Sequence, residues 1–128
     1  MLYLDTSATA KLLLAEVESD ALREYLRVSN TLLLASRVGV LELRRVGRRI
    51  AGGADRADAV AATLAVVELN EVVERIAVDL DPGLRALEAI HLATALAAGE
   101  SLAGFVCYDA RLASAARTVG LNVLAPSS

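Results

Sequence analysis

Residues 84–98 read LRALEAIHLATALAA, and this stretch decides the fold. Its apolar residues recur every three or four positions, a spacing that predicts one face of an α-helix. Glu88 and His91 lie three positions apart and therefore share a side of that helix. A carboxylate among so many Ala, Leu and Ile residues is costly unless it faces water, finds a partner or binds a cation. The other acidic residues of the chain indicate which of these three it does.

Length and composition predict one domain over residues 1–128 with a substantial core, since 55% of the residues are hydrophobic. No apolar run reaches the 18 or more residues that a membrane helix needs. The first residues, MLYLD, lack the basic and then apolar plan of a signal peptide. We therefore expect a soluble, cytoplasmic protein that does not enter a membrane.

The net charge and the cysteine content bear on nucleic-acid binding and on disulfide formation. The net charge is −3, so no sequence-wide basic field indicates nucleic-acid binding, and any such binding must come from a local patch or through metal. The single Cys107 excludes an internal disulfide. Because it follows Phe105 and Val106 in an apolar run, we predict a buried structural thiol rather than a nucleophile.

Apolar strands alternate with amphipathic helices, which predicts an α/β fold whose mostly parallel sheet is covered by helices on both sides. The predicted strands are residues 2–4, 31–35, 72–78, 103–108 and 122–124. The predicted helices are one starting near residue 8, then residues 21–28, 37–50, 55–70, 84–98 and 111–119. The predicted helix N-caps are Thr6 or Ser7, Ser19 or Asp20, and Ser36.

Four acids stand out by position. Asp5 and Asp109 each follow a buried strand, and ligands of open parallel sheets bind outside the carboxyl ends of the strands. Glu42 and Glu88 interrupt the apolar faces of two helices. We predict that the four converge on one edge of the sheet. For each there is a simpler reading, in which the aspartates are helix caps and the glutamates pair with Arg45 and Arg85.

Convergence would require a cation. Two unit charges 4 Å apart repel by about 4 kcal/mol at an effective dielectric constant near 20, and four carboxylates form several such pairs. Such a cluster persists only with bound cations or protons. Hard carboxylate oxygens suit Mg²⁺ or Mn²⁺ better than zinc, and carboxylate-held Mg²⁺ commonly binds substrate phosphates. The acids therefore indicate metal-assisted phosphodiester chemistry.

Four motifs taken in order resemble the PIN-domain family, and within it the VapC toxins of bacterial type II toxin–antitoxin pairs. The motifs are MLYLDTSATAKLL, ASRVGVLELRR, LRALEAIHLATALA and FVCYDARLASAARTVGLNVLAP. The resemblance implies a three-layer sandwich around a mostly parallel sheet, an acidic site for Mg²⁺ or Mn²⁺ and endoribonuclease activity on an RNA substrate. It also implies a cognate, VapB-like antitoxin protein and a homodimer.

Matched to the family motif, the catalytic and metal-binding acids are Asp5, Glu42, Glu88 and Asp109. Thr6 and Ser7 are the usual polar residues after the first aspartate. The sequence departs from the pattern at Glu88, where the family has Asp. The extra methylene moves the carboxylate outward, and Mg²⁺ demands near-ideal geometry. An alternative is therefore a non-catalytic protein- or RNA-binding module on the same fold.

His91 and the arginines of the Glu42 helix are further candidates for the site. His91 is predicted to hydrogen-bond or orient a neighbouring acid rather than to react itself. The arginines around Glu42 indicate a path for RNA phosphates, an antitoxin contact or a solvated helix face. They include Arg44, Arg45, Arg48 and Arg49.

A di-iron site built on Glu88 and His91 would need a second such motif, which the chain lacks. A receiver-like phosphoacceptor would need a Lys after a late strand, and the only Lys is Lys11.

Overall fold

The computed structural model describes residues 1–127, in which strands and helices alternate. The strands are β1 (Leu2–Leu4), β2 (Leu33–Ser36), β3 (Ala65–Val67), β4 (Gly104–Val106) and β5 (Val123–Leu124). The helices are α1 (Thr6–Leu13), α2 (Ser19–Ser29), α3 (Arg37–Gly47), α4 (Gly53–Ala62), α5 (Glu71–Asp79), α6 (Ala86–Ala97) and α7 (Ala110–Thr118). A single 3₁₀ turn, Gly99–Ser101, follows α6.

The strands form one parallel sheet in the order β3-β2-β1-β4-β5. Leu2 of β1 pairs with Leu33 on one side and with Gly104 on the other. The chain runs outward from β1 to β3 and then returns to the far side of β1 as β4. The gap between β1 and β4 is therefore the topological switch point, where open α/β sheets bind their ligands.

The core is divided between the two faces of this sheet, because successive strand residues point to opposite sides. Tyr3 and Phe105 stack on one face, with ring centroids 5.2 Å apart, and pack against α6 and α7. Leu2, Leu4 and Val106 point to the other face and pack against α1 and α2. The predicted three-layer α/β sandwich is confirmed, and its sheet is entirely parallel in the described residues.

Helix α6 forms from residues 84–98 nearly as predicted, beginning at Ala86 and ending at Ala97. Leu92, Ala93 and Ala95 are fully buried, and the small alanine side chains let the helix lie close to the sheet.

Within residues 1–127, no helix has the length and apolar character needed to cross a membrane.

Two predictions between residues 55 and 78 are wrong. The predicted helix 55–70 ends early as α4, and Ala65–Val67 form β3 instead. Alanine-rich residues favour helix locally, but pairing with β2 decides the outcome here. The predicted strand 72–78, which includes Glu74, is helix α5. The Asn70 side chain accepts a hydrogen bond from the Val73 N–H and caps this helix, which outweighs the β-branched valines.

Several boundaries also differ from the prediction. The second strand is shifted from 31–35 to Leu33–Ser36, because Leu33 is the first residue that pairs with β1. Helix α3 stops at Gly47 rather than near residue 50. Ser36 caps α3 as predicted, accepting a hydrogen bond from the Gly39 N–H.

The other two predicted caps are wrong. Helix α1 is capped by Asp5, not by Thr6 or Ser7, since the Asp5 carboxylate reaches the Ala8 N–H. Helix α2 begins at Ser19 after Glu18, without a side-chain cap.

Candidate active site

Asp5 lies at the switch point, directly after β1, and is almost completely buried, with 3% exposure. Its Oδ1 accepts hydrogen bonds from the Ser7 hydroxyl at 2.6 Å and from the Ala8 N–H at 3.0 Å. Its Oδ2 lies 3.2 Å from the Cys107 thiol. Burial raises the pKa of this carboxyl above its ordinary value, and these hydrogen bonds offset only part of that effect. Among residues 1–127, no Lys or Arg forms an ion pair with it.

Glu42 projects from α3 and contacts the first turn of α1. Its Oε1 accepts a hydrogen bond from the Thr6 hydroxyl at 2.7 Å and lies 3.0 Å from His91 Nε2. Partial burial raises the pKa of Glu42, but the His91 and Thr6 hydrogen bonds outweigh burial, so the net pKa is lowered. Glu42 is therefore held ionised and oriented. It does not pair with Arg45, the alternative considered from sequence.

His91 is buried within α6, with 4% exposure. Its Nδ1 lies 2.6 Å from the Tyr3 hydroxyl, and its Nε2 faces Glu42 and, at 3.3 Å, Thr6. The prediction that His91 binds a neighbouring acid holds, although the acid is Glu42 rather than Glu88 of its own helix. Tyr3 was missed, because a tyrosine inside a three-residue apolar strand has the sequence pattern of a core residue.

Glu88 occupies the first turn of α6. Its Oε1 accepts a hydrogen bond from the backbone N–H of Arg85 at 2.9 Å and lies 3.6 Å from the Arg111 guanidinium. The predicted alternative, a salt bridge to Arg85, is thus replaced by a backbone cap at that residue and an ion pair with Arg111. Arg111 was missed as a partner because α7 is distant in sequence.

Asp109 is exposed and caps α7. Its Oδ1 accepts hydrogen bonds from the backbone N–H groups of Arg111 and Leu112. Its backbone oxygen lies 3.4 Å from the Cys107 thiol, which also contacts Asp5. Asp109 thus acts as a helix cap and lies near Asp5 across the switch point.

The four acids lie at the same end of the sheet as two pairs. Glu42 contacts Thr6 and His91, and Thr6 directly follows Asp5 in the chain. Glu88 and Asp109 instead contact the side chain and the backbone of Arg111. Within residues 1–127, no three His, Cys, Asp or Glu side chains converge closely enough to hold an ion. The four carboxylates are thus divided between two places and do not form a closed metal-binding cage.

Cys107 is buried beneath Asp5, as predicted for a structural thiol. Burial and the neighbouring Asp5 charge raise its pKa to about 12. At neutral pH the thiol keeps its proton, and only the thiolate is a strong nucleophile. Cys107 therefore donates a hydrogen bond to Asp5 and is a poor nucleophile.

A groove of about 360 Å³ opens beside Glu42 and carries part of the basic surface. Arg45, Arg49, Leu41 and Leu87 line it, together with Thr6 and Glu42 itself. Arg44 and Arg48 instead line a larger concavity of about 700 Å³ between α3 and α4, which contains none of the four acids. Arg44 there pairs with Asp58. Of the four predicted arginines, Arg45 and Arg49 lie closest to the candidate chemistry.

Comparison of the sequence with known proteins identifies relatives along its whole length. The sequence profile of the PIN domain family matches residues 2–121. The chain is 40% identical over 141 residues to Ribonuclease VapC46 of Mycobacterium tuberculosis, covering 98% of each chain. It is 41% identical over 131 residues to Ribonuclease VapC35 of the same organism, covering 98% of this chain and 97% of the relative.

Solved structures share the fold at lower sequence identity. Mycobacterium tuberculosis VapC20, a Sarcin-Ricin loop cleaving toxin, superposes with a TM-score of 0.72 at 20% identity, covering 98% of this chain and 100% of VapC20. A chain of VapBC2 from Rickettsia felis, bound to a promoter DNA fragment, gives a TM-score of 0.79 at 14% identity, covering 99% and 100%. Because the family profile and the 40% identical relatives span nearly all of the sequence, this chain belongs to the PIN-domain family and, within it, to the VapC-type toxins.

Proposed function

We propose that this protein is a Mg²⁺- or Mn²⁺-dependent endoribonuclease that acts in the cytoplasm as the toxin of a toxin–antitoxin pair. The observation that carries the proposal is Asp5, a buried carboxylate at the switch point that has no cationic side chain beside it. An uncompensated buried charge is expensive, and a divalent cation would offset that cost. The names of the relatives, which are ribonucleases, support the same reaction.

The donors fit such an ion in chemistry, since carboxylate oxygens are the ligands that Mg²⁺ and Mn²⁺ prefer. Asp5 and the open oxygen of Glu42 would hold it, since Mg²⁺ commonly binds only one or two carboxylates and keeps several waters. Asp109 and Glu88 would join only by leaving the helix-capping contacts they make in this structure. When bound, the ion supplies an activated water and neutralises charge at the phosphate. Thr6 and His91 fix one oxygen of Glu42, and Ser7 and Ala8 fix one oxygen of Asp5.

Metal dependence is tested directly on purified protein and a mixed pool of single-stranded RNA. We expect cleavage in millimolar Mn²⁺ or Mg²⁺, loss of cleavage when EDTA is in excess, and recovery when Mn²⁺ is added back. Zinc alone is expected to support little cleavage, because the site offers oxygen donors. Undiminished cleavage in EDTA would contradict metal dependence while leaving ribonuclease activity in place.

The groove beside Glu42 is the proposed path of the RNA backbone. Arg45 and Arg49 present positive charge next to Glu42, and phosphates bind such residues without sequence selectivity. With few aromatic side chains for base stacking, 3% of the sequence, we propose recognition mainly through RNA shape and backbone.

This path predicts a salt effect. Replacing Arg45 and Arg49 together by Ala is expected to weaken RNA binding and to reduce the slope of log K against log salt by about 1.4, or 0.7 for each lost phosphate contact. The matched control replaces Arg75 and Arg117, two exposed arginines on other helices. Equal slopes for both double variants, measured by fluorescence anisotropy, would exclude this groove as the RNA path.

We further propose a cognate antitoxin and a homodimer. Two of the structural relatives are toxin–antitoxin complexes, VapBC2 of Rickettsia felis and FitAB. Exposed aliphatic residues Val17, Val28 and Leu41 offer surface for a protein partner.

A second candidate function is a binding module on the same fold with an impaired site. The observation that favours it is the Glu88 carboxylate, which is already occupied by the Arg85 N–H and by Arg111. Activity of the unmodified chain separates the two candidates, and restoring Asp at residue 88 extends that test.

A further inference from the structure

A chain of hydrogen bonds crosses the core and ends on Glu42. Tyr3 hydrogen-bonds His91 Nδ1 at 2.6 Å, and His91 Nε2 meets Glu42 Oε1 at 3.0 Å. The two links connect three secondary-structure elements, since Tyr3 lies in β1, His91 in α6 and Glu42 in α3. Tyr3 and His91 are both buried, which makes every member of this chain costly to leave unpaired.

The direction of the protons follows from the donors available. Burial raises the pKa of the Tyr3 hydroxyl above its ordinary value, so Tyr3 keeps its proton and donates it to Nδ1 of His91. A neutral imidazole that accepts at Nδ1 carries its own proton on Nε2. His91 therefore donates to Glu42, in agreement with the carboxylate that faces it.

The arrangement leaves Glu42 with one restrained and one open oxygen. Oε1 receives hydrogen bonds from both Thr6 and His91. Oε2 has no hydrogen-bond partner within residues 1–127, and Glu42 lines the groove beside it. One oxygen thus fixes the side chain, while the other remains free to bind a ligand.

The fold makes room for this contact at Gly39. A Cβ at this position would lie 3.0 Å from His91 Cε1, closer than side chains ordinarily pack. The glycine therefore lets the imidazole lie against α3, one turn before Glu42. The contact between α3 and α6 thus provides both the space for the ring and the partner of Nε2, whereas the partner of Nδ1, Tyr3, comes from β1.

We propose that Tyr3 and His91 are positioning residues that lock Glu42 for metal binding by fixing the histidine tautomer. The inference rests on the proposed function for its effect on catalysis, but the tautomer itself belongs to the metal-free protein. Partners of this kind behind a ligand commonly change metal affinity or activity by about 10- to 100-fold.

The tautomer is tested first, by ¹⁵N NMR of the imidazole in metal-free protein. We expect the Nε2–H form in the unmodified chain and a mixture of both tautomers in Tyr3→Phe, which keeps the ring and removes only the hydroxyl. The control Tyr108→Phe also removes a tyrosine hydrogen bond, to the Pro126 carbonyl, away from His91. An Nδ1–H form in the unmodified chain would overturn the proposal.

Metal affinity is the second measurement, with Mn²⁺ alone as the probe and EPR as the readout. Tyr3→Phe is expected to weaken Mn²⁺ binding about tenfold and His91→Leu about 100-fold. His91→Gln keeps a donor near the Nε2 position and is expected to restore most of the affinity. Equal losses in His91→Gln and His91→Leu would identify a purely structural residue and overturn the proposal.

The outcomes separate this inference from the proposed function. If the unmodified chain binds no Mn²⁺ and cuts no RNA, the proposed function fails whatever the tautomer is. If it does both and Tyr3→Phe changes neither the tautomer nor the affinity, only the positioning role fails. Thermal melts of each variant establish that the comparison is made on folded protein.

Discussion

Replacing Asp5 by Asn is expected to abolish RNA cleavage and at the same time to stabilise the fold. Asparagine is nearly isosteric and can still accept the Ser7 and Ala8 hydrogen bonds, but it removes the charge. We expect cleavage to fall by more than about 100-fold, since loss of a residue behind a metal ligand already costs up to that much. Unchanged cleavage by Asp5→Asn would remove Asp5, and with it the proposed site.

Asp5→Asn is expected to lose activity but gain stability, because the buried Asp5 carboxylate costs folding free energy and is retained for function. In EDTA we expect Asp5→Asn to increase the free energy of unfolding by about 0.5 to 2 kcal/mol, the range common for stabilising substitutions. Asp79→Asn, at an exposed carboxylate, is the control and is expected to change it by less than about 0.5 kcal/mol. Chemical denaturation of the three proteins gives the comparison.

The difference should depend on pH. The folded state raises the pKa of Asp5, so it binds that proton more tightly than the unfolded chain does. Protonation therefore favours folding, and this contribution is lost as pH rises through the folded pKa. The advantage of Asp5→Asn should be present at neutral pH and shrink as pH falls towards the unfolded value. An advantage that stays constant from neutral pH to pH 4 would show that the charge is not its cause.

The order of apolar and acidic residues in the sequence predicted the parallel sheet and the edge with the candidate site. It did not predict which distant residues contact one another. Asp5 and Asp109 follow buried strands, and a parallel sheet necessarily brings such residues to one edge. The strand β3 was missed because local alanine content cannot reveal pairing with β2, which is a long-range contact. Helix α5 was missed because Val72 and Val73 favour a strand locally, whereas the Asn70 cap favours a helix.

Contacts within the candidate site were likewise not predictable from local sequence. The positions of the four acids predicted that they converge on one edge of the sheet, but those positions do not reveal the partners that each carboxylate has in the folded chain. Asp109 binds the backbone of its own helix, and Glu88 binds the Arg85 N–H. The Tyr3–His91 contact spans 88 positions in the sequence, so no spacing rule could find it.

Glu88→Asp is expected to increase RNA cleavage and Mn²⁺ affinity, each by about tenfold, which corresponds to about 1.4 kcal/mol. The shorter side chain withdraws from the Arg85 N–H and from Arg111, and so becomes free to face Asp5. Loss of the first-turn contact is expected to lower the free energy of unfolding by about 0.5 to 1 kcal/mol. Cleavage rates, EPR titration with Mn²⁺ and chemical denaturation measure the three effects separately.

Glu88→Gln is the matched control, because glutamine at this helix position can still accept from the Arg85 N–H while carrying no charge. If the Glu88 charge contributes to the site, this variant retains its stability and loses activity. If Glu88→Gln cuts RNA as well as the unmodified chain and Glu88→Asp cuts no better, residue 88 is only a helix cap and the site has three acids. A chain that is inactive until Glu88→Asp is introduced would instead establish the binding module, since one methylene would then separate a nuclease fold from a nuclease.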